Sequence, residues 1–437
     1  MNWMKAFSAF LMVMLLTLLI LHSQEEKISD GSKIILEWAD TLVGTGSEGQ
    51  RLRNWKGNVR FRQKDVLVKS DLAKQYLDAN KLDLIGNVRI TQDSLVMMSP
   101  RIFYNGNTKI AEAKDSVKII SGNTILTAKR GEYSTETKIA VFTGDVFIED
   151  DSTEIIADKI IYHRNDENSF AYGNVIIKAK YSNTVLYADT ILHYPNEDFT
   201  EALGDPYLVQ IDTLKKNTDV SDTLSSPVSF ELDTLTVKSM IMEAFRTEEI
   251  ESYTFLDSVI INKGDISARA NEAYYDKTDD IIQLYEVPIV WFGNTQLHAD
   301  SIIVYTPENK LSKIHAFRNS LAATKDDSLK QDMISQITGN EIIIEIKQDS
   351  IDFIHSYGNA KSLFFDKEDN GEYSAARISS DTIKILFDLG DPSRILGLSG
   401  VNSEYFPENI ILQATKDLYL PSFRWSEEKP QKLIIKR

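Results

Sequence analysis

The sequence is organised around a short phrase that returns every 29 residues. Its five clearest copies start at positions 57, 86, 115, 144 and 173, and each joins a dipeptide such as Gly-Asn to an apolar, period-two run. A fixed period of this size is typical of stacked repeat architectures, in which each repeat packs only on its neighbours. Such repeats build long continuous surfaces more often than single catalytic pockets, so the period constrains function as well as fold.

Two apolar columns run through these copies, one of them always Val and the other Phe once and Ile four times. Because the columns are two residues apart, they share one face of a β-strand, and such alternation predicts a half-buried strand. Two polar turn clusters per repeat predict two antiparallel strands per repeat. The residues predicted to point inward are the members of these two columns and one further residue of the fourth repeat, Phe142. The full set is Val59, Phe61, Val88, Ile90, Val117, Ile119, Phe142, Val146, Ile148, Val175 and Ile177.

In four of the five copies, a Gly interrupts the apolar column where the strand has to bend. Gly inside a strand pattern marks a bulge, a corner or a close backbone approach. Asn or Asp follows the first position in four of the five copies. This column can form the stacked ladder of a parallel β-helix, but we interpret it as serving the bend.

Four aspartates, Asp71, Asp158, Asp189 and Asp300, recur at matching positions of the second strand. A glycosidase needs a single pair of carboxylates in a cleft, whereas residues repeated from rung to rung favour a structural role. The six histidines show no metal-ligand spacing, and the motifs Gly-x-Ser-x-Gly, P-loop and Gly-x-Gly-x-x-Gly are absent. We therefore predict that the protein is not an enzyme and has no catalytic residues, no metal and no cofactor.

The charge of the chain restricts its partners. It has 65 acidic and 48 basic residues among 437, hence a net charge of −17, which disfavours nucleic acid as a partner. The absence of cysteine excludes disulfides and a thiol nucleophile. We interpret the outward column Arg60, Arg89 and Lys118 as a solvated face.

The N-terminus predicts export. Lys5 is followed by sixteen residues without a charge, positions 6–21, which is a signal-like hydrophobic region but short for a spanning helix of about 20 residues. Residues 1–23 are therefore predicted to be a signal peptide or a signal anchor, with membrane contact if the segment is uncleaved.

The repeats define the expected organisation of the chain. They run from residue 33 to residue 214, a polar linker or loop follows at 215–236, and a degenerate second repeat region occupies 237–437. A last apolar strand at residues 433–435 has no capping helix, and an open sheet end invites edge-to-edge pairing. The apolar columns have two interpretations: a sealed dry core, or a groove open along one side that holds a lipid.

The phrase copies, together with Trp38-Ala39-Asp40 and Ser70-Asp71-Leu72-Ala73, resemble the OstA-like, or LptA-like, N-terminal domain of the organic-solvent-tolerance family. The resemblance is good over residues 33–214 and loose afterwards. It implies a β-jellyroll in the Gram-negative envelope and a periplasmic bridge that carries lipopolysaccharide with its acyl chains in an apolar groove. It also implies other Lpt-type proteins as partners through strand edges, and it leaves the LptA-like and the membrane-anchored LptC-like stations open.

The sequence thus predicts an all-β protein, an elongated antiparallel β-jellyroll solenoid of two-strand repeats behind a hydrophobic N-terminal segment. The expected function is a non-enzymatic lipid-transport bridge for lipopolysaccharide export and outer membrane assembly in the periplasm, with the eleven inward residues as candidate lipid contacts. The alternative is an envelope scaffold with a sealed core. A carbohydrate-active enzyme would need a non-repeating carboxylate cluster, and the sequence shows none.

Overall fold

The computed structural model describes residues 35–46, 51–63, 66–92, 94–215, 230–247, 249–264, 266–307, 310–326, 328–347, 350–368, 370–388 and 391–431. The predicted signal segment at 1–23, most of the predicted linker and the apolar stretch at 433–435 lie outside these residues. Among the residues described, no helix is long and apolar enough to cross a membrane.

The chain forms two compact units, Met1–Ile211 and Asp212–Arg437. Within the described ranges, the strands up to this boundary pair antiparallel with their neighbours, which confirms the all-β antiparallel prediction. They are β1 Ile35–Trp38, β2 Thr41–Thr45, β3 Leu52–Gln63, β4 Val66–Tyr76, β5 Lys81–Gln92, β6 Leu95–Asn105, β7 Ile110–Ala113, β8 Val117–Ser121, β9 Thr124–Ala128, β10 Arg130–Ser134, β11 Ile139–Glu149, β12 Thr153–His163, β13 Ser169–Ala179, β14 Thr184–Tyr194, β15 Phe199–Leu203 and β16 Tyr207–Lys215.

The second unit continues the same architecture and adds a short helix near the C-terminus. Its strands are β17 Phe230–Lys238, β18 Ile241–Arg246, β19 Glu251–Lys263, β20 Ile266–Asp276, β21 Ile281–Tyr285, β22 Ile289–Phe292, β23 Thr295–His298, β24 Ser301–Tyr305, β25 Lys313–Lys325, β26 Ile334–Lys347, β27 Ser350–Lys367, β28 Tyr373–Asp388, β29 Asp391–Leu398 and β30 Asn402–Pro407. Helix α1 spans Glu408–Ala414, and single 3-10 turns occupy Pro195–Glu197 and Thr415–Leu418.

Most long strands of the first unit bend at a corner formed by the Gly-Asn phrase. At the second copy, the register with the neighbouring strand shifts between Ile85 and Val88, and Gly86 and Asn87 both have positive φ, 77° and 45°. The Asn87 side-chain amide donates a 2.8 Å hydrogen bond to the Asp71 carboxylate. A Cβ on residue 86 would lie 2.4 Å from that carboxylate, so the corner requires glycine. The Gly-Asn column therefore serves the bend.

The corner recurs with the same chemistry along the chain. Asn174 donates to Asp158 at 2.8 Å in the first unit, and Asn319 donates to Asp300 at 3.1 Å in the second. The recurring aspartates are thus acceptors at strand corners, in line with the structural role expected for them. The third copy, Asp115-Ser116, lacks the Gly-Asn pair, and there the strand is interrupted between β7 and β8.

The corners divide each unit into two sheet walls. Each corner divides a long strand into two halves. Wall A consists of the halves equivalent to residues 139–143 of β11, together with the strand halves that pair with them. Wall B consists of the halves equivalent to residues 146–149, together with their partners. Trp55 of wall A packs edge to face on Phe61 of wall B, with ring centroids 5.3 Å apart. The walls therefore face one another, and the apolar columns fill the space between them.

Candidate functional site

The predicted inward columns of the first unit do point into the space between the walls. Ten of the eleven residues are buried, and Phe61 is half-buried. Burying a Val or Ile side chain stabilises a fold by about 1.5–3 kcal/mol, so these columns are the main support of the unit. Phe142 differs from the other ten, because it precedes the corner and lies on wall A, whereas the others lie on wall B.

The interior of the first unit is nearly full. One cavity between its walls measures about 10 Å³ and is lined by Met97 from wall B and by Ile102, Ala111, Tyr133 and Phe142 from wall A. A cavity of this size holds about one water molecule. Two alanines, Ala111 and Ala113, line this small cavity together with the larger Tyr133 and Phe142.

Aromatic side chains close the outer margin of wall A in the first unit. Tyr104, Tyr133, Tyr162 and His193 are buried at the ends of successive strands. Burial raises the pKa of the Tyr104 and Tyr162 phenols and lowers the pKa of His193 to about 4. These three groups are therefore uncharged at neutral pH, and this margin presents an uncharged aromatic row to the interior.

The second unit has an open cleft between its walls. The cleft measures about 480 Å³, within the range of about 300–1,000 Å³ common for sites that hold small molecules. Wall A contributes Ile354, Ile385 and Phe387, and wall B contributes Ile337 and Phe364. The lining is mixed, because polar residues accompany the apolar ones, among them Ser335, Ser362 and, at the mouth, the charged pair Lys325 and Asp326.

The cleft follows from longer strands. β12 and β13 of the first unit have 11 residues each, whereas β27 has 18 and β28 has 16. The corner asparagines Asn58 and Asn87 are 29 residues apart, but Asn319 and Asn359 are 40 apart. Longer strand halves extend both walls farther from the corner. At that distance the side chains of wall A and wall B are no longer in contact.

Sequence reasoning missed this cleft because it followed the constant period, which ends before the cleft begins. The signal that marks it is the lengthened interval between the corner asparagines Asn319 and Asn359. The apolar alternation persists in this region, so the same pattern that fills the first unit lines an open space in the second.

The chain after β30 forms a strap on the outer face of wall B in the second unit; we name residues 408–428 the C-terminal strap. Ile411, Leu418 and Leu420 join Leu363 and Phe365 in one buried apolar cluster. Successive residues of a strand point to opposite faces. The Ile337 side chain points between the walls, so that of Gln336 points to the opposite face of β26, where it accepts a 2.9 Å hydrogen bond from the Leu420 amide of the strap.

Polar contacts fix the far part of the strap. The Gln296 side chain both donates to the Ser426 carbonyl, at 2.6 Å, and accepts from its amide, at 3.0 Å. Lys325 pairs with Glu427 at 3.1 Å, and Arg269 pairs with Glu428 at 2.9 Å. With the strap in place wall B is buried on both faces, which explains why all four residues of β23 are buried.

Open strand edges mark the two ends of the described chain. Within the described residues, β1 and β2 pair only with β3, and Ile35, Trp38 and Leu42 on them are each more than half exposed. At the other end, β29 and β30 pair only with β28, and Leu398 and Tyr405 are also more than half exposed. Exposed apolar edges of this kind are templates for pairing with another sheet. The described ranges contain no group of three or more acidic or histidine side chains placed to hold a metal ion.

Comparisons with known proteins give two sequence matches and a similar solved structure. Residues 31–126 match the sequence model described as OstA-like protein, and residues 125–310 match the one described as LptA/(LptD N-terminal domain) LPS transport protein. No curated protein matches the chain. A crystal structure of LptH, titled the LptA homologous periplasmic component of the lipopolysaccharide transport device from Pseudomonas aeruginosa, is similar at 12% identity, covering 32% of this chain and 95% of that one, with a TM-score of 0.26.

The two sequence matches adjoin each other and together cover residues 31–310, which is well over half of the chain. They fall on the corners and inward columns described above, in both units. This protein therefore belongs to the OstA-like family of lipopolysaccharide-transport proteins.

Proposed function

We propose that this protein is a non-enzymatic component of a periplasmic bridge for lipopolysaccharide and that it shelters acyl chains between its two sheet walls. The observation that carries the proposal is the cleft of about 480 Å³ in the second unit, to which both walls contribute apolar side chains and whose lining also contains polar residues such as Lys325 and Asp326. Hydrocarbon chains gain free energy by leaving water for such a surface, at about 25 cal/mol per Å² of apolar area.

In this proposal the second unit is the part that receives a lipid first. Its cleft already has the volume that an apolar ligand needs, whereas the first unit must separate its walls before a chain can enter. The inward residues of the first unit, such as Val117 and Ile148, become lipid contacts only after such a separation. Transport then consists of successive occupancy of the apolar interior, without a chemical step.

The open edges are the proposed contacts with other Lpt-type proteins. An added strand from a partner would pair with the free side of β1 and β2, or with that of β29 and β30. Main-chain hydrogen bonds provide the affinity in such strand addition, and the exposed apolar side chains provide the specificity.

The test of this function is photo-crosslinking in cells. A photoreactive amino acid replaces Ile354, which faces the cleft, and its neighbour His355, which faces outward, serves as the matched control. A second pair, Val146 and Phe147, tests the first unit in the same way. We expect a lipopolysaccharide adduct at Ile354 and a weaker one at Val146. The absence of adducts at both inward positions, with the protein folded and exported, would reject lipid transport through the interior.

The scaffold is the second candidate, and the packing of the first unit favours it. An interior with space for about one water molecule is what a sealed structural core requires. Adducts at Ile354 but none at Val146 would mean that the first unit is a scaffold and that only the second unit holds lipid.

A further inference from the structure

The outer face of wall B in the first unit carries a row of exposed cationic side chains. Arg60 of β3 lies directly opposite Lys69 of β4, and Lys69 lies opposite Arg89 of β5. The row continues through Met98 of β6 to Lys118 of β8. All four charged residues are exposed. Four intervals of about 4.8 Å give the row a length of about 19 Å.

This arrangement opposes folding unless an anion is present. Like charges directly opposite each other on a sheet are destabilising. No ion pair among the described residues involves any of the four, and Arg62, the nearest further cation, is paired with Glu37. At the corner next to these cations, the Asp71 carboxylate already accepts a hydrogen bond from the Asn87 side-chain amide. A concentrated positive row is unexpected on a chain of net charge −17.

The row has no counterpart in the later strands of the same face. The positions in register with it are Phe147 of β11, Ile156 of β12, Ile176 of β13 and Tyr187 of β14. The cations are thus confined to the part of the unit that adjoins the N-terminal edge. Trp38 of β1 pairs directly with Arg60 and is 57% exposed.

We propose that this face, named here the basic row and comprising Arg60, Lys69, Arg89 and Lys118, docks on the anionic phospholipid headgroups of a membrane. The uncharged segment at residues 6–21 ends thirteen residues before β1. An extended chain of that length reaches at most about 45 Å, so a membrane that holds the segment lies within reach of the row. Trp is enriched at membrane interfaces, and juxtamembrane basic residues bind anionic lipids.

The proposal separates two kinds of lipid contact on one protein. The interior between the walls is apolar and suits acyl chains, whereas the basic row recognises only the charge of a surface. Each basic residue near an anionic membrane strengthens binding about fivefold. Loss of two such residues is therefore expected to shift the ratio of docked to undocked protein about 25-fold.

The experiment uses the full chain incorporated into lipid nanodiscs that carry a headgroup-linked quencher. Because the chain has no cysteine, one introduced cysteine gives a single fluorescent label. Thr127→Cys places the label next to Lys118 without removing a cation, and Glu132→Cys, exposed on the outer face of wall A, is the control. We expect quenching at position 127 in discs with phosphatidylglycerol, little in neutral phosphatidylcholine discs, and none at position 132.

The double variant Lys69→Gln/Arg89→Gln and added salt should both abolish the quenching at position 127. The melting temperature of this variant should equal or exceed that of the parent protein, because the change removes like-charge repulsion. Equal quenching in neutral and anionic discs, or no quenching in either, would overturn the proposal. It would also be overturned if the double variant loses binding to lipopolysaccharide micelles but keeps the quenching in anionic discs, since the row would then recognise the cargo.

Discussion

Both units of this protein have the same apolar alternation, but it lines a packed interior in the first unit and an open cleft in the second. In the first unit, strands of 11 residues and a period of 29 bring side chains from both walls into contact and leave about 10 Å³. In the second, strands of up to 18 residues raise the walls and leave a cleft of about 480 Å³. Apolar alternation therefore specifies an inward face, but strand length decides whether that face is a core or a site.

The outer faces differ as well. Wall B of the second unit is covered by the C-terminal strap, and its buried cluster holds Leu363 and Phe365 against Ile411 and Leu418. The same wall in the first unit carries charged and half-buried side chains on its outer face. Wall B of the second unit has longer strands and borders the cleft on its inner face, where it makes fewer packing contacts. The strap packs against its outer face instead.

The largest expected effect is a difference between the two interiors when each receives a charge. Val146→Glu places a carboxylate in the filled interior of the first unit, and we expect a loss of about 3–5 kcal/mol of unfolding free energy. Phe387→Glu should cost clearly less, because Phe387 is half-buried and the cleft that it lines has room for water around the carboxylate. Chemical denaturation of both variants measures this, with Phe147→Glu as the control on the outer face. Equal losses at 146 and 387 would mean that the two interiors do not differ in this respect.

An intermediate effect is expected at the strand edges, where binding rather than stability should change. Leu42→Lys on β2 and Leu398→Lys on β29 add a charge to open edges, which is how natural proteins prevent edge pairing. We expect each to reduce co-purification of Lpt-type partners at least tenfold, with the melting temperature unchanged. Tyr181→Lys, at an exposed position in the turn between β13 and β14, is the matched control. A loss from only one of the two variants would show that only that end binds a partner.

The smallest expected effect is a dependence of the strap on pH. Burial, with Arg424 and Arg269 nearby, lowers the pKa of His298 to about 4, against about 6.5 in an unfolded chain. The neutral form is therefore the one that the folded state favours. Its contribution is present above about pH 6.5 and is lost as the pH falls towards 4. We expect the second unit to lose about 1 kcal/mol between pH 7 and pH 5.5.

Hydrogen exchange of residues 408–428 is the measurement for this effect, since Gln296 contacts both His298 and the strap. His298→Gln should remove the pH dependence of exchange in the strap. His193→Gln is the matched control, because burial also lowers the pKa of His193 to about 4, but in the first unit. If His193→Gln alters exchange in the strap as much as His298→Gln does, the effect is not local to wall B.

The sequence by itself determined the all-β class, the two-strand repeat and the inward face. These follow from local chemistry: period-two alternation places Val88 and Ile90 on one side of a strand, and only glycine fits the backbone of residue 86 beside Asp71. The family could also be predicted from the sequence, because the phrase recurs at a constant interval. Both sequence matches cover copies of this phrase.

Only the tertiary structure decided where open space lies and what covers each face. The volume between two walls depends on how far facing side chains reach, so Ile148 is buried and Phe387 is half-buried at a cleft although both belong to apolar alternating runs. The periodicity does not predict the strap, because its contacts join residues far apart in the sequence, as Gln296 and Ser426 are at 130 positions. The basic row is likewise a product of register: its cations are spread over some sixty residues of sequence, and strand pairing alone sets them side by side.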